Sequence, residues 1–230
     1  MIIGVCSFSP QVGKTTCAEY LKDNYNFEHV EMSGEISNFC TKYLGYNGNK
    51  HDPKQRKILQ DIGQLWKELH PDIWLYHNLA AKLKSLIGEN YDPTIYQYIE
   101  FKTNVREYGI DSYFPNGVVV AGIRSPHEAD AIRELGGKVF LVYRDIENES
   151  SKHIVENSLY GYKNFNDVLI NDNTINCFYN KIKKLILEKR KTPIHIVECP
   201  YTTTEAPSHE KEHPSLKDLR KKYNIDFLEI

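Results

Sequence analysis

The sequence predicts an α/β fold, a parallel sheet flanked by helices, on three observations. Short apolar runs alternate along the chain with longer stretches of helical periodicity, the pattern of strands joined by helical crossovers. One run, residues 117–123 (GVVVAGI), is apolar throughout, as a strand covered on both faces must be. The first run, residues 2–6, passes straight into a loop that closes on Gly13-Lys14-Thr15-Thr16, and a helical pattern follows it. No internal repeat interrupts this order.

The elements then read in sequence. A strand over 2–6 and a helix over 14–24 open the chain, and a second strand is expected over 27–32. Ser33 is a candidate cap for a helix over 34–44, and 45–53 is a polar loop. Helices follow over 54–69 and 72–87. Residues 91–116 are aromatic and polar, with an extended piece expected at 96–101. The strand over 117–123 leads to a helix over 126–135, which Gly136-Gly137 ends. Further strands are expected over 139–143, 167–170 and 194–199, with a helix over 175–188. Residues 145–165 form a polar loop, with a helical fragment near 153–160.

Composition sets bounds. The 230 residues suit one α/β domain with an appendage, and 40% apolar residues are enough for a core. A formal charge of −2 provides no global basic field, which disfavours a nucleic acid polymer or a membrane as partner. Cys6, Cys17, Cys40, Cys177 and Cys199 are scattered without metal-ligand spacing and read as reduced thiols. The chain opens on a strand and holds no apolar run near 18 residues, so a cytoplasmic protein is expected. We divide it into a domain over 1–199 and an arm over 200–230. The arm begins polar and proline-bearing and ends apolar at Phe227, Leu228 and Ile230, which suits docking on its own domain or in a homodimer.

The Gly-Lys-Thr loop is the strongest chemical signal. Backbone N–H groups at a helix N-terminus cradle phosphate, a lysine reaches its oxygens, and a threonine hydroxyl is offered to Mg²⁺. Lys14 and Thr15 take those parts, with Ser9, Gln11, Val12, Gly13 and Thr16 as further loop contacts. The usual motif has glycine where this chain has Phe8, so the loop must open differently, with Pro10 near the turn. At 100° per residue, Arg56, Gln60, Gly63 and Lys67 share one stripe of the helix 54–69, opposite Ile58, Leu59, Ile62, Leu65, Trp66 and Leu69. That stripe is either a solvated face or a substrate face with cations for phosphate and an amide for a base. Arg124 follows the strand 117–123 at its carboxyl end, the ligand edge of a parallel sheet, where it meets phosphate or pairs with Glu128. Gly122 leaves no carboxylate there, and Glu31, at the end of the second strand, is the substitute for a metal-water or acceptor role. Arg144, Lys152 and His153 supply cations for a loop that closes over phosphates.

Four segments together resemble the deoxynucleoside monophosphate kinases of bacteriophages. They are GVCSFSPQVGKTTCAEYL, QRKILQDIGQLWKELHPDIW, VVVAGIRSPHEADAIRELGGKVFLVYR and SKHIVENSLYGYKNFNDVLINDNTI, in that order across most of residues 1–190. The resemblance implies a P-loop kinase-type sheet with a lid at about 145–165. It implies transfer of the γ-phosphoryl of ATP, with Mg²⁺, to a deoxynucleoside 5′-monophosphate for DNA precursor supply. It puts Gly13, Lys14 and Thr15 at the ATP phosphates, where Arg144 is expected as a further contact. It puts Arg56 and Gln60 at the acceptor, Arg124 near the transferred group, and His153 and Glu156 in the lid region, and Lys67 and Trp74 are expected as further acceptor contacts. Phe8 and Gly122 depart from the family pattern, as does Val155, where serine is usual. A P-loop kinase for another acceptor, or a nucleotide-binding protein without catalysis, are the alternatives. The base is left open between Gln60 and the tyrosines of 91–116 as its recognition elements.

Overall fold

Five parallel strands form one sheet in the computed structural model of the protein, which describes residues 1–49, 51–144, 159 and 161–188. The strands are β1 (Ile2–Cys6), β2 (Glu28–Glu31), β3 (Val118–Ile123), β4 (Lys138–Tyr143) and β5 (Asp167–Ile170). The helices are α1 (Lys14–Tyr25), α2 (Gly34–Leu44), α3 (Pro53–Leu69), α4 (Ile73–Leu86), α5 (Ile95–Tyr108), α6 (Pro126–Glu134) and α7 (Ile175–Glu188).

The order β2-β3-β1-β4-β5 puts β1 at the centre. The chain lays β2 and β3 on one side of it and β4 and β5 on the other. A ligand crevice forms at the carboxyl ends of strands where the order diverges this way. The loop after β1 therefore starts at the switch point.

Alternation along the strands splits the core in two. Ile2, Cys6, Val118, Val120, Val139 and Leu141 face the layer of α2 to α6. Ile3, Val5, Val119, Ala121, Phe140 and Val142 face α1 and α7. All of these are fully or almost fully buried. Burial of a large apolar side chain is worth about 1.5–3 kcal/mol, so the central strands are the rigid frame of the site. On the second face, Phe178, Ile182, Leu185 and Ile186 of α7 pack with Cys17, Ala18 and Leu21 of α1.

Most expected elements stand within a residue or two of their observed bounds. Residues 96–101 are the exception: they are helical, inside α5. Thr94 caps that helix, its Oγ1 accepting from the Gln97 N–H at 3.2 Å, and Tyr98, Phe101 and Val105 form a buried stripe at helical spacing. Aromatic, β-favouring residues yield here to tertiary burial. Ser33 sits at the N-cap position of α2 without a side-chain capping bond. Leu69, expected in the core, is 51% exposed at the last turn of α3. Cys6, Cys17 and Cys40 are buried free thiols and Cys177 is exposed. No helix among the described residues is long and apolar enough to cross a membrane. The strand expected at 194–199, Cys199 and the arm at 200–230 lie outside the described residues, as does most of the lid at 145–165.

Candidate functional site

The loop after β1 is built from backbone turns rather than a run of glycines. Gln11 (φ 58°) and Gly13 (φ 108°) take left-handed conformations, and position 8 does not. Phe8 thus meets no demand for glycine; its ring packs edge-on against Phe165 at 6.1 Å and closes the loop's flank. A side chain at Gly13 is strained by its φ of 108°, and a Cβ there would also lie 2.8 Å from Asn171 Nδ2. Gly13 also caps α1, its carbonyl accepting from the Cys17 N–H at 2.9 Å. No acidic residue stands in the first turn of α1 itself, and the carboxylate nearest that end comes from β2.

Lys14 Nζ donates to Ser7 Oγ at 2.5 Å and to the Ser9 carbonyl at 3.2 Å. Ser7 Oγ in turn donates to the Ser9 carbonyl at 2.6 Å. Ser9 thus acts by its carbonyl. Val12 acts by its backbone too: its side chain is buried in the core and its carbonyl accepts from Asn171 Nδ2 at 2.8 Å. A cavity of about 440 Å³ opens beside the loop, lined by Gln11, Gly13, Lys14, Thr15, Thr16, Arg144, Asn171, Asn173 and Ile175.

Glu31, at the end of β2, reaches this loop. Thr15 Oγ1 donates to its Oε1 at 3.4 Å, and the same oxygen lies 3.2 Å from His29 Nε2. Glu31 Oε2 lies 3.7 Å from where a Cβ on Gly122 would stand. The β2 carboxylate thus occupies the neighbourhood that an acidic residue at position 122 would serve. A hydroxyl and a carboxylate beside a lysine suit a hard cation that keeps most of its waters and takes further oxygens from phosphate. Among the described residues no cluster of three or more acidic, histidine or cysteine side chains competes as a metal site.

A second cavity, about 250 Å³, lies between α2, α3 and the end of β3. Arg56, Gln60, Gly63 and Lys67 all line it, so the polar stripe of α3 faces a cavity rather than open solvent. Asp52 positions that helix, its Oδ1 accepting from the Lys54 N–H at 2.8 Å, with Pro53 in the first turn. Arg124 and Gly122 line the opposite wall. Lys67 Nζ forms an ion pair with Glu128 at 2.6 Å, and the Arg124 backbone N–H donates to Glu128 at 2.8 Å. Glu128 is therefore tied to Arg124 through the main chain and to Lys67 through its charge.

Trp74 forms part of the lining from below. It is fully buried, its indole N–H donates to the Gly63 carbonyl at 3.0 Å, and it stacks on Trp66 at 4.9 Å. His77 packs behind both tryptophans, fully buried, with Nδ1 and the Tyr91 hydroxyl sharing a hydrogen bond of 2.5 Å. Burial pushes its pKa down to about 4 and pushes the Tyr91 hydroxyl up. Both are neutral at pH 7.

The tyrosines of 91–116 do not line this cavity. Tyr98 instead donates to Asp72 at 2.6 Å, and Tyr91 serves His77. Met32, Ile36, Ser37, His51 and Gln64 are the lining residues that sequence reasoning did not single out, and Ser33 and Leu59 line it although they were expected as a helix cap and a core residue. Asn171 and Asn173 at the loop cavity were also missed, although Asn171 follows β5 at its carboxyl end, the same signal that found Arg124. His153 and Glu156 lie outside the described residues.

Residues 98–182 match the family model of the deoxynucleotide monophosphate kinases. A protein of Acanthamoeba polyphaga mimivirus, named as a candidate deoxynucleotide monophosphate kinase, is 28% identical over 174 residues, covering 74% of this chain and 88% of its own. Among solved structures, a dephospho-CoA kinase from Campylobacter jejuni is 14% identical with a TM-score of 0.38, covering 81% of this chain and 96% of its own. A sugar kinase from a Janibacter species is 12% identical with a TM-score of 0.40, covering 81% of this chain and 94% of its own. These structural likenesses are distant.

Proposed function

We propose that this protein transfers the γ-phosphoryl group of ATP to a deoxynucleoside 5′-monophosphate, giving ADP and the diphosphate. The observation that carries this reading is the placing of two cavities on either side of the strand ends. One is walled by the Gly-Lys-Thr loop and the other by Arg56, Lys67 and Arg124, with Glu31 between Thr15 and Gly122. The match over residues 98–182 and the mimivirus relative favour a nucleoside monophosphate as acceptor.

In this reading ATP lies along the loop cavity. Lys14 leaves Ser7 and Ser9 for the β- and γ-phosphates, and the amides at the start of α1 hold the same oxygens. Thr15 and Glu31 would hold Mg²⁺, which when bound neutralises phosphate charge. Arg144, beside Asn171 and Asn173, faces the ATP side. The monophosphate lies in the second cavity, its phosphate toward Arg56, Lys67 and Arg124 and its base toward Gln60 and the apolar lining above Trp74. One acceptor phosphate oxygen attacks the γ-phosphorus while the bond to the ADP oxygen breaks. Arg124 meets the moving charge with a planar pair of donors. His153 and Glu156 belong to a lid that excludes water from the transfer. The product serves DNA precursor supply in the cytoplasm, and a homodimer through the 200–230 arm fits this role.

The test is ADP release measured over a panel of ribo- and deoxynucleoside monophosphates. Turnover with deoxynucleoside monophosphates is the expected result. ADP formation with none of the panel, by folded protein that binds ATP, would refute the assignment.

A further inference from the structure

Glu128 is 1% exposed, yet it makes more contacts than helix capping needs. A capping box asks its carboxylate only to accept from the N-cap amide. Here one oxygen accepts from the N–H of both Ser125 (3.1 Å) and Arg124 (2.8 Å), and Ser125 Oγ accepts from the Glu128 N–H at 3.3 Å. The other oxygen holds Lys67 Nζ at 2.6 Å, from a helix about 60 residues earlier in the chain. One buried side chain thereby joins α3, the carboxyl end of β3 and the start of α6, all at the wall of the second cavity.

We infer that Glu128 is the positioning residue of the acceptor site, acting through Lys67 and the Arg124 main chain; this rests on the reading of that cavity as the monophosphate site. A lysine ammonium on a four-carbon stem has many rotamers, and pairing with a buried carboxylate fixes one. The cavity stays positive with Glu128 counted. The charged residues lining it are Arg56, Lys67 and Arg124 against Glu128, a net of +2. A phosphomonoester carries close to −2 at neutral pH. The lining thus matches one terminal phosphate, and Glu128 presents its oxygens to donors rather than to the incoming anion.

The test is equilibrium binding by calorimetry on the full chain, with thymidine 5′-monophosphate and deoxyguanosine 5′-monophosphate as separate probes. Wild type, Glu128→Gln, Lys67→Met and the double variant are compared. Glu128→Gln and Lys67→Met should each weaken monophosphate binding by about tenfold. The double variant should fall within about twofold of Glu128→Gln alone, because the two residues act as one unit. Affinity for a non-hydrolysable ATP analogue should hold. Wild-type monophosphate affinity in folded Glu128→Gln, or effects that multiply in the double variant, would overturn the inference. If Glu128→Gln does not fold, Glu128→Asp decides: it keeps the charge but withdraws it from Lys67, so weakened binding supports the role and wild-type binding overturns it. Binding needs no turnover. Wild type that binds a monophosphate but never forms ADP refutes the kinase reading and leaves this one standing. Wild type that binds neither probe nor any other nucleoside monophosphate of the panel refutes both.

Discussion

The two cavities at the strand ends are made in different ways. The loop cavity is mostly main chain: left-handed turns at Gln11 and Gly13, carbonyls of Ser9 and Val12, and the N-terminus of α1. Gln11, Gly13, Lys14, Thr15 and Thr16 of its lining come from one short stretch of chain. The α3 cavity is made of residues drawn from Met32 to Glu128, and one of its cations, Lys67, is held by Glu128 from a distant part of the chain. A main-chain site recognises what all nucleoside triphosphates share, the phosphate tail. A side-chain site can change its specificity one residue at a time. The common donor thus belongs with the first and the selected acceptor with the second.

The largest effect should come from the loop side. Lys14→Ala should lower kcat by about 10²–10³-fold, the usual loss when a preorganised charge is removed from a transferring group. Its melting temperature should stay near that of wild type, since Lys14 lines the loop cavity and is not part of the apolar core. Near-normal turnover by the folded variant would erase the distinction between the two cavities.

A smaller effect should separate them more sharply. Arg56→Ala and Gln60→Ala should each raise the acceptor KM, by about 10–100-fold for the charged contact and by less for the amide. The ATP KM should be unchanged in both. Poor ATP use with normal acceptor use would mean that the α3 cavity faces the wrong nucleotide.

The smallest effect at neutral pH should come from His77, behind the aromatic wall. Its pKa is about 4 in the folded chain against 6.5 as the ordinary value. Below pH 6.5 the unfolded chain therefore binds a proton that the folded chain refuses, and stability falls as pH drops from 6.5 toward 4. The loss is bounded at about 3 kcal/mol. Glu35 works against it near the acid end: burial raises its pKa, so the folded chain takes up that proton first. Denaturant midpoints measured between pH 4 and 7 should show a shallower slope in His77→Gln than in wild type. Parallel slopes would mean that His77 charges without unfolding.

The same contrast explains what could be read from the sequence. The loop was legible because its residues are contiguous and its chemistry local. The α3 stripe was legible because Arg56, Gln60, Gly63 and Lys67 recur at helical spacing and the fold kept that face together. The partner of Lys67 was not legible, because the strand-end reading paired Glu128 with Arg124 alone. His51, Ser33 and Ser37 carry no periodic signal that separates them from an ordinary surface. Asn171 was available to the strand-end rule applied at β3 but not at β5. The extended reading of 96–101 failed because single-residue preference outweighed the cap at Thr94 and the buried stripe behind it.

The stacking of Trp66 on Trp74 has an optical consequence. The chain has two tryptophans, and both lie in this pair, 4.9 Å apart and inclined by 23° beneath the α3 cavity. Nearly all tryptophan emission, and any coupling between the two indole transitions, therefore originates at one place. Tryptophan emission, excited at the red edge where the sixteen tyrosines do not absorb, should follow occupation of the α3 cavity more than occupation of the loop. The protein carries its own gauge for one substrate in the presence of the other.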